Sequence, residues 1–287
     1  MRKIIIDADP GTDDTFAILL ACNSPEFNIE GICTVAGNCS LENATKNAFK
    51  ILDLANKNDI RVYQGMSEPL IEEKIDAAYV HGTNGMGGIE YEPINRTPEN
   101  INAVDFLIKT VNDNPNEITI VALGPLTNIA TAINKDPNFE KNIKELVIMG
   151  GSVGESNISK FAEFNFYFDP DAAHIVVESQ IQKITILGLN LTHQLPLNHN
   201  LELRLKYSEN QLANFLYSIT RQGAEVDKSL GGLVLHDPIT FAHLIDESIV
   251  TVHPVKCSVE TYGEKKGMLF ISPTHASNCY VGFEVNC

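Results

Sequence analysis

Eight residues near the start of the chain, Asp7-Ala8-Asp9-Pro10-Gly11-Thr12-Asp13-Asp14, hold four carboxylates. The apolar run Ile4-Ile5-Ile6 precedes them and a helical pattern follows, so they fall where a first strand turns into a first helix. Thr12 is a candidate helix cap, and acids in a first turn are favoured by the helix dipole. That accounts for Asp13 or Asp14. It does not account for Asp7 and Asp9, which close a strand expected to be buried. Like charges packed this closely need a cation or a proton to offset them. Oxygen-only donors select a hard ion, calcium or magnesium, over zinc.

Further blocks with chemical content follow: Val35-Ala36-Gly37-Asn38, His81-Gly82-Thr83-Asn84-Gly85, Leu123-Gly124-Pro125-Leu126-Thr127-Asn128, Met149-Gly150-Gly151, Ala162-Glu163-Phe164-Asn165 with Asp169-Pro170 shortly after, and His236-Asp237-Pro238. Each block alone is weak. Taken in this order after the acidic opening, and spanning nearly the whole chain, they resemble the inosine-uridine preferring nucleoside hydrolases, which are calcium-dependent ribonucleoside hydrolases.

The resemblance implies that an N-glycosidic bond of a ribonucleoside is hydrolysed to free base and ribose by a calcium-activated water. It places Asp9, Asp14, Asp237 and the main-chain carbonyl of Leu123 around Ca2+, with Asp9 as the base that takes the water proton. Asp13 would bind the ribose hydroxyls from outside the metal shell. Asn38 and Asn165 would also hold the sugar, Asn157 and Glu163 the 5′-hydroxyl, and Met149 would pack near the ribose. Asp7 would support the site from behind. Breaking such a bond builds positive charge on the sugar, as in glycosidases, and an acidic pocket stabilises it. His236, directly before Asp237, is the expected acid for the departing base, with His81 lining the same pocket. The other six histidines, His174, His193, His199, His243, His253 and His275, carry no expected role.

Two other readings stand beside this one. A catalytically idle ribose- or calcium-binding protein could use the same fold. Asp7-Ala8-Asp9 after a strand also suits a haloacid-dehalogenase-like phosphatase, but those enzymes place Thr or Val where this chain has Gly11. The chain has no Trp, and residues 220–235, expected to form a mobile loop over the nucleobase, contain no aromatic; Tyr217 is the nearest. A purine sandwiched between tryptophans is therefore excluded, and broad or pyrimidine-leaning base use is expected.

Elements that could position these residues are legible as short Ile- and Val-rich runs alternating with helical patterns. Strands are expected at 3–8, 29–35, 61–64, 118–122, 146–149 and 183–187, and helices at 13–22, 41–55, 101–111, 127–133 and 171–178. This alternation predicts a single-domain α/β fold over residues 1–287, with an open, mainly parallel sheet and helices on both faces. Helices at 209–220 and 236–244 and strands at 250–260, 267–272 and 280–285 are expected as antiparallel additions at the sheet edge. Residues 65–100 lack periodicity, and so long a loop is usually functional. Members of that family usually continue past the last strand into a final helix, so a sequence that stops after a strand implies either exposed apolar sheet surface or a shortened chain.

The formal charge is −16, from 21 basic and 37 acidic residues. Such a surface repels phosphate backbones and anionic lipid, so nucleic acid and membranes are excluded as partners and a small-molecule ribonucleoside is favoured. No apolar run approaches the ~18 residues of a membrane span. Cys22, Cys33, Cys39, Cys257, Cys279 and Cys287 form no CxxC pair, which suits reduced thiols in a cytoplasmic protein. The resemblance adds a homo-oligomer, dimer or tetramer.

Overall fold

A computed structural model describes residues 1–92, 95–272 and 276–286. His275 and Cys287, named above, lie outside the described residues. Nine strands form one sheet: β1 (Arg2–Ala8), β2 (Phe27–Thr34), β3 (Val62–Gln64), β4 (Ile118–Ala122), β5 (Glu145–Met149), β6 (Ile184–Leu187), β7 (Val250–Val259), β8 (Leu269–Ser272) and β9 (Cys279–Val285). Their spatial order is β3-β2-β1-β4-β5-β6-β9-β7-β8. Strand order reverses between β1 and β4, and in open α/β sheets the crevice at that reversal, outside the carboxyl ends of the strands, receives the ligand.

The expected parallel sheet is present. Strands β1 to β6 pair in parallel, and β4, β5 and β6 are buried along their whole lengths. Alternation along β1 sends Ile4 and Ile6 into one core layer and Ile5 into the other. The C-terminal strands depart in part from expectation. β7 and β8 are antiparallel additions, but β9 inserts between β6 and β7 and runs parallel to β6. Its buried Cys279 and Val281 join the same layer as Ile184 and Ile186. Periodicity marks a strand but not its neighbour, so pairing was not readable.

Helices α1 (Thr12–Asn23), α2 (Leu41–Leu54), α3 (Ala78–His81), α4 (Ala103–Asp113), α5 (Thr127–Lys135), α6 (Phe139–Asn142), α7 (Phe164–Phe168), α8 (Pro170–Val177), α9 (Leu189–Thr192), α10 (His199–Lys206), α11 (Gln211–Val226) and α12 (Pro238–Ile245) follow in chain order. Residues of α1, α2 and α12 pack on one face of the sheet, and residues of α4, α5 and α8 on the other. Short polar side chains start them: Ser40 accepts from Asn43 N, Asn102 from Val104 N, and Asp169 from Ala172 N just before Pro170. No helix among the described residues is long and apolar enough to cross a membrane.

One expected helix is revised. The helix expected at 209–220 continues to Val226, so the segment read as a mobile loop is half helix, held by Leu212, Phe215, Leu216 and Ile219 against the core. His199 opens α10, with Asn198 Oδ1 accepting from Asn200 N.

Phe166 shows how packing sets the site. Its fully buried ring lies against Gly150 and Gly151 at the end of β5, where an added Cβ would come within 2.8 and 2.9 Å of it. The glycines let the ring in, and the ring fixes α7, which carries Asn165. Phe166→Ala should therefore cost about 3–5 kcal/mol. In urea unfolding, the midpoint should fall with an unchanged slope; a variant as stable as the parent would show that the ring is not packed this way.

Candidate active site

The acidic opening lies at the carboxyl end of β1, as its sequence position demands. Asp7 closes the strand, Asp9 follows it, and Asp13 and Asp14 occupy the first turn of α1. Asp237 comes from far along the chain and stands at the start of α12. The positive ends of α1 and α12 thus both meet the carboxylates, which partly offsets their charge. Thr12 is not the cap of α1. Gly11 occupies that position and its N–H donates to Asp14 Oδ2 at 2.9 Å, while the Thr12 hydroxyl donates to the Ile219 carbonyl.

Asp9 and Asp14 are fully buried, Asp237 is 2% exposed and Asp13 8%. One carboxylate oxygen each of Asp13, Asp14 and Asp237 lies within 4.8 Å of the others. Asp13, expected just outside a metal shell, thus belongs to the tightest trio, and Asp9 sits beside it with Oδ2 accepting the Asn38 N–H at 2.6 Å. Buried oxygens of Asp9, Asp13 and Asp14 have no hydrogen-bond partner. Burial, reinforced by the neighbouring carboxylates, pushes Asp14 up to about 7 and Asp9 and Asp237 well above the usual range. Among the described residues, no lysine or arginine lines the cavity above them. Partnerless oxygens and an oxygen-only donor set fit a hard divalent cation, and the charges need one.

Neighbouring glycines exist because Asp9 fills their space. A Cβ on Gly37 would lie 2.1 Å from Asp9 Oδ2, and one on Gly124 2.4 Å from Oδ1. Behind the cluster, Asp7 Oδ2 accepts from Asn128 Nδ2 at 2.8 Å, and burial raises Asp7 to about 7.

A cavity of about 280 Å³ opens above this floor. Of the expected ligand residues, Asp13, Asn38, His81, Leu123, Met149, Asn157, Glu163, Asn165, His236 and Asp237 line it, whereas Asp9 and Asp14 lie beneath. Asn38 Nδ2 donates to Asp14 Oδ2 at 3.1 Å. Asn165 Nδ2 donates to the carbonyls of Leu123 at 2.8 Å and Met149 at 3.1 Å. Glu163 also caps α7, accepting from Asn165 N, Phe166 N and Gly151 N; burial nevertheless raises it to about 7. His81 Nδ1 accepts from Thr12 N at 3.3 Å and lies 3.9 Å from Asp13. His236 Nδ1 meets the Thr192 hydroxyl at 2.8 Å, and burial pushes its ring down to about 4.

Several lining residues escaped the sequence reading, three of them polar or aromatic groups that face the same cavity. Tyr79, on α3 in the glycine-rich segment, supplies the aromatic face missing from residues 220–235. Asp227 lies just past α11, its Oδ2 accepting from Val234 N. His193, given no role from sequence, also lines the cavity, its ring 5.9 Å from that of His236. No local pattern announces them; only their fold neighbours bring them to the wall.

A carboxylate floor ready for a cation, under an amide-lined pocket at the strand-order reversal, is the equipment of an α/β hydrolase acting on a small hydroxylated molecule. The chain belongs to the inosine-uridine preferring nucleoside hydrolase family, whose sequence model matches residues 4–287. It is 37% identical to uridine nucleosidase 1 of Arabidopsis thaliana over 98% of this chain and 86% of that one. It is equally 37% identical to the inosine-uridine preferring nucleoside hydrolase of Crithidia fasciculata, over 92% of this chain and 85% of that one. A purine-preferring ribonucleoside hydrolase from Gardnerella vaginalis superposes with a TM-score of 0.93 at 32% identity, covering 99% and 94% of the two chains. Membership of this family leaves no place for the phosphatase reading.

The glycine packing generates a test. Gly124→Ala adds a methyl that Asp9 and its own backbone N–H cannot both avoid. Titration calorimetry should show divalent-cation affinity reduced about 10–100-fold, as for other disturbed supports of metal ligands. Unchanged affinity in the variant would show that Asp9 does not depend on this wall.

Proposed function

We propose that this protein hydrolyses the N-glycosidic bond of ribonucleosides with calcium as its metal. The observation that carries the reading is the set of buried, partnerless carboxylate oxygens beneath a cavity lined by Asn38, Asn165 and Glu163. Asp9, Asp14, Asp237 and the Leu123 carbonyl would hold the cation, and Asp13, which reaches the cavity surface, would meet the ribose hydroxyls. A bound calcium supplies a lowered water pKa and extra oxygen coordination. Asp9 Oδ1, the oxygen left free by the Asn38 N–H, takes the water proton. The water oxygen bonds to the anomeric carbon as the bond from that carbon to the base nitrogen breaks, releasing ribose and base. Asp13 and its neighbours stabilise the positive charge that grows on the sugar.

His236 serves the departing base. A ring held down to about 4 is neutral at neutral pH. With the Thr192 hydroxyl donating to Nδ1, Nε2 carries the hydrogen and donates a hydrogen bond to the base, which leaves with the bonding electron pair and takes its proton from water afterwards. Asn157 and Glu163 hold the 5′-hydroxyl and Met149 packs against the sugar. On the base side the wall is mainly apolar, from Val80, Val226, Leu230, Leu233 and Leu235, with Tyr79, Asp227 and the histidines. Phe164 also lines the cavity, but the chain has no tryptophan to sandwich a purine, which suits broad or pyrimidine-leaning base use. The reading extends to a cytoplasmic homo-oligomer working in nucleoside catabolism and salvage; the five described cysteines, all unpaired, suit a reducing compartment.

Two measurements test this. Chelation should abolish uridine hydrolysis and added calcium restore it; full turnover by protein shown metal-free by elemental analysis would refute the metal reading. Across a nucleoside panel, kcat/KM should be at least as high for uridine and cytidine as for adenosine and guanosine. 2′-Deoxyuridine should fall by about 10⁴-fold, because a site built to bind a hydroxyl leaves buried groups unpaired without it. Equal turnover of uridine and deoxyuridine would overturn the ribose assignment.

A further inference from the structure

Asn47 is 1% exposed in the middle of α2, on the face formed by Ala44, Ala48 and Ile51. A side-chain amide on an apolar helix face is costly to bury unless its donors and acceptor are paired. Here they are paired, and the partners belong to three separate stretches of chain. Nδ2 donates to the Pro10 carbonyl at 2.7 Å and to the Asn84 carbonyl at 2.8 Å. Oδ1 accepts from the Tyr91 hydroxyl at 2.5 Å.

The first of these partners lies inside the acidic opening, between Asp9 and the Gly11 N–H that holds Asp14. The second lies in the glycine-rich block that carries His81. Asn84 braces that block itself, its Oδ1 accepting from Met86 N and Gly88 N and its Nδ2 donating to the Ile89 carbonyl. Gly85 lets the two loops close on the amide: at φ +81° its added Cβ would fall 2.7 Å from Asn47 Nδ2 and 3.1 Å from the Pro10 carbonyl. Pro10 has no N–H of its own, so the loop between Asp9 and Gly11 is held here through its carbonyl.

We infer that Asn47 is a positioning residue that preorganises the cation site, by locking the acidic loop and the glycine-rich loop to one rigid helix. The amide touches none of the cavity; it acts through Pro10 on the spacing of Asp9 and Asp14. Without it, the buried carboxylates are free to move apart under their own repulsion, and the cation must restore the order that the amide supplied. The inference rests on the metal-binding reading above.

The test is calorimetric titration of calcium into metal-free protein, with thermal melts alongside. Asn47→Leu keeps the approximate shape but removes every hydrogen bond. Asn47→Ala removes them too, but opens room for water between the Pro10 and Asn84 carbonyls, and a water with several polar partners can bridge such a gap. Calcium affinity should fall about 10–100-fold in Asn47→Leu, the range for outer supports of metal ligands, and less in Asn47→Ala. A merely structural role gives the reverse order in stability, with the cavity-forming alanine the worse, and leaves the calcium Kd of both variants near the parent value. That result would overturn the inference while leaving the function standing. Should Asn47→Leu fail to fold, Asn47→Ala decides: affinity equal to the parent overturns the inference. Parent protein that binds no calcium would overturn both readings.

Discussion

Mutual repulsion among buried carboxylates is the constraint around which this molecule is arranged. Asp9, Asp14 and Asp237 lose hydration and gain like-charged neighbours together, and every one of them is pushed toward its neutral form. Removing an ion from water costs several kcal/mol even after relaxation. Such a cluster persists only where surrounding groups and a cation repay that cost. Two helix N-termini and the Asn38 and Gly11 amides are the protein's share of the offset, and among the described residues no lysine or arginine in the cavity adds to it.

The scaffold follows from that need. A sheet whose strand order reverses at β1 and β4 puts Asp9 and the Leu123 carbonyl side by side, because β1 and β4 pair in register from Lys3 to Asp7. Gly37 and Gly124 withdraw their side chains so that Asp9 can stand between them. Asn165, Asn38 and Asn128 then spend their amide donors on the carbonyls and carboxylates of these strand ends. Each bond fixes one buried acceptor in place, so these amides orient the groups they bond as well as satisfying them.

Division of labour within the cavity matches the chemistry. Its deep end is anionic and amide-rich, suited to a hydroxylated ring that becomes positive in the transition state. Its outer wall is apolar with scattered polar tips, suited to a flat heterocycle that need only be held and released. Burial, more than any single charge, holds the His236 ring toward its neutral form.

Much of this was readable in the chain itself. Short strands and following helices came from local periodicity, and the acidic block sits at the end of β1 because the apolar run before it stops there. The family was carried by ordered blocks from Asp7 to Pro238, which also supplied the proposed ligand set. Residues whose importance comes from contact were not readable. Tyr79 and His193 reach the cavity through helices without a distinctive pattern, Asn47 looks like any polar residue in an amphipathic helix, and β9 gives no sign of lying between β6 and β7. Sequence patterns encode what a segment does with its near neighbours, since propensity, capping and face alternation act over a few residues. Which carboxylates meet, which loops share one amide and which ring closes the pocket depend on groups distant in sequence. Those were settled only when packing brought them together.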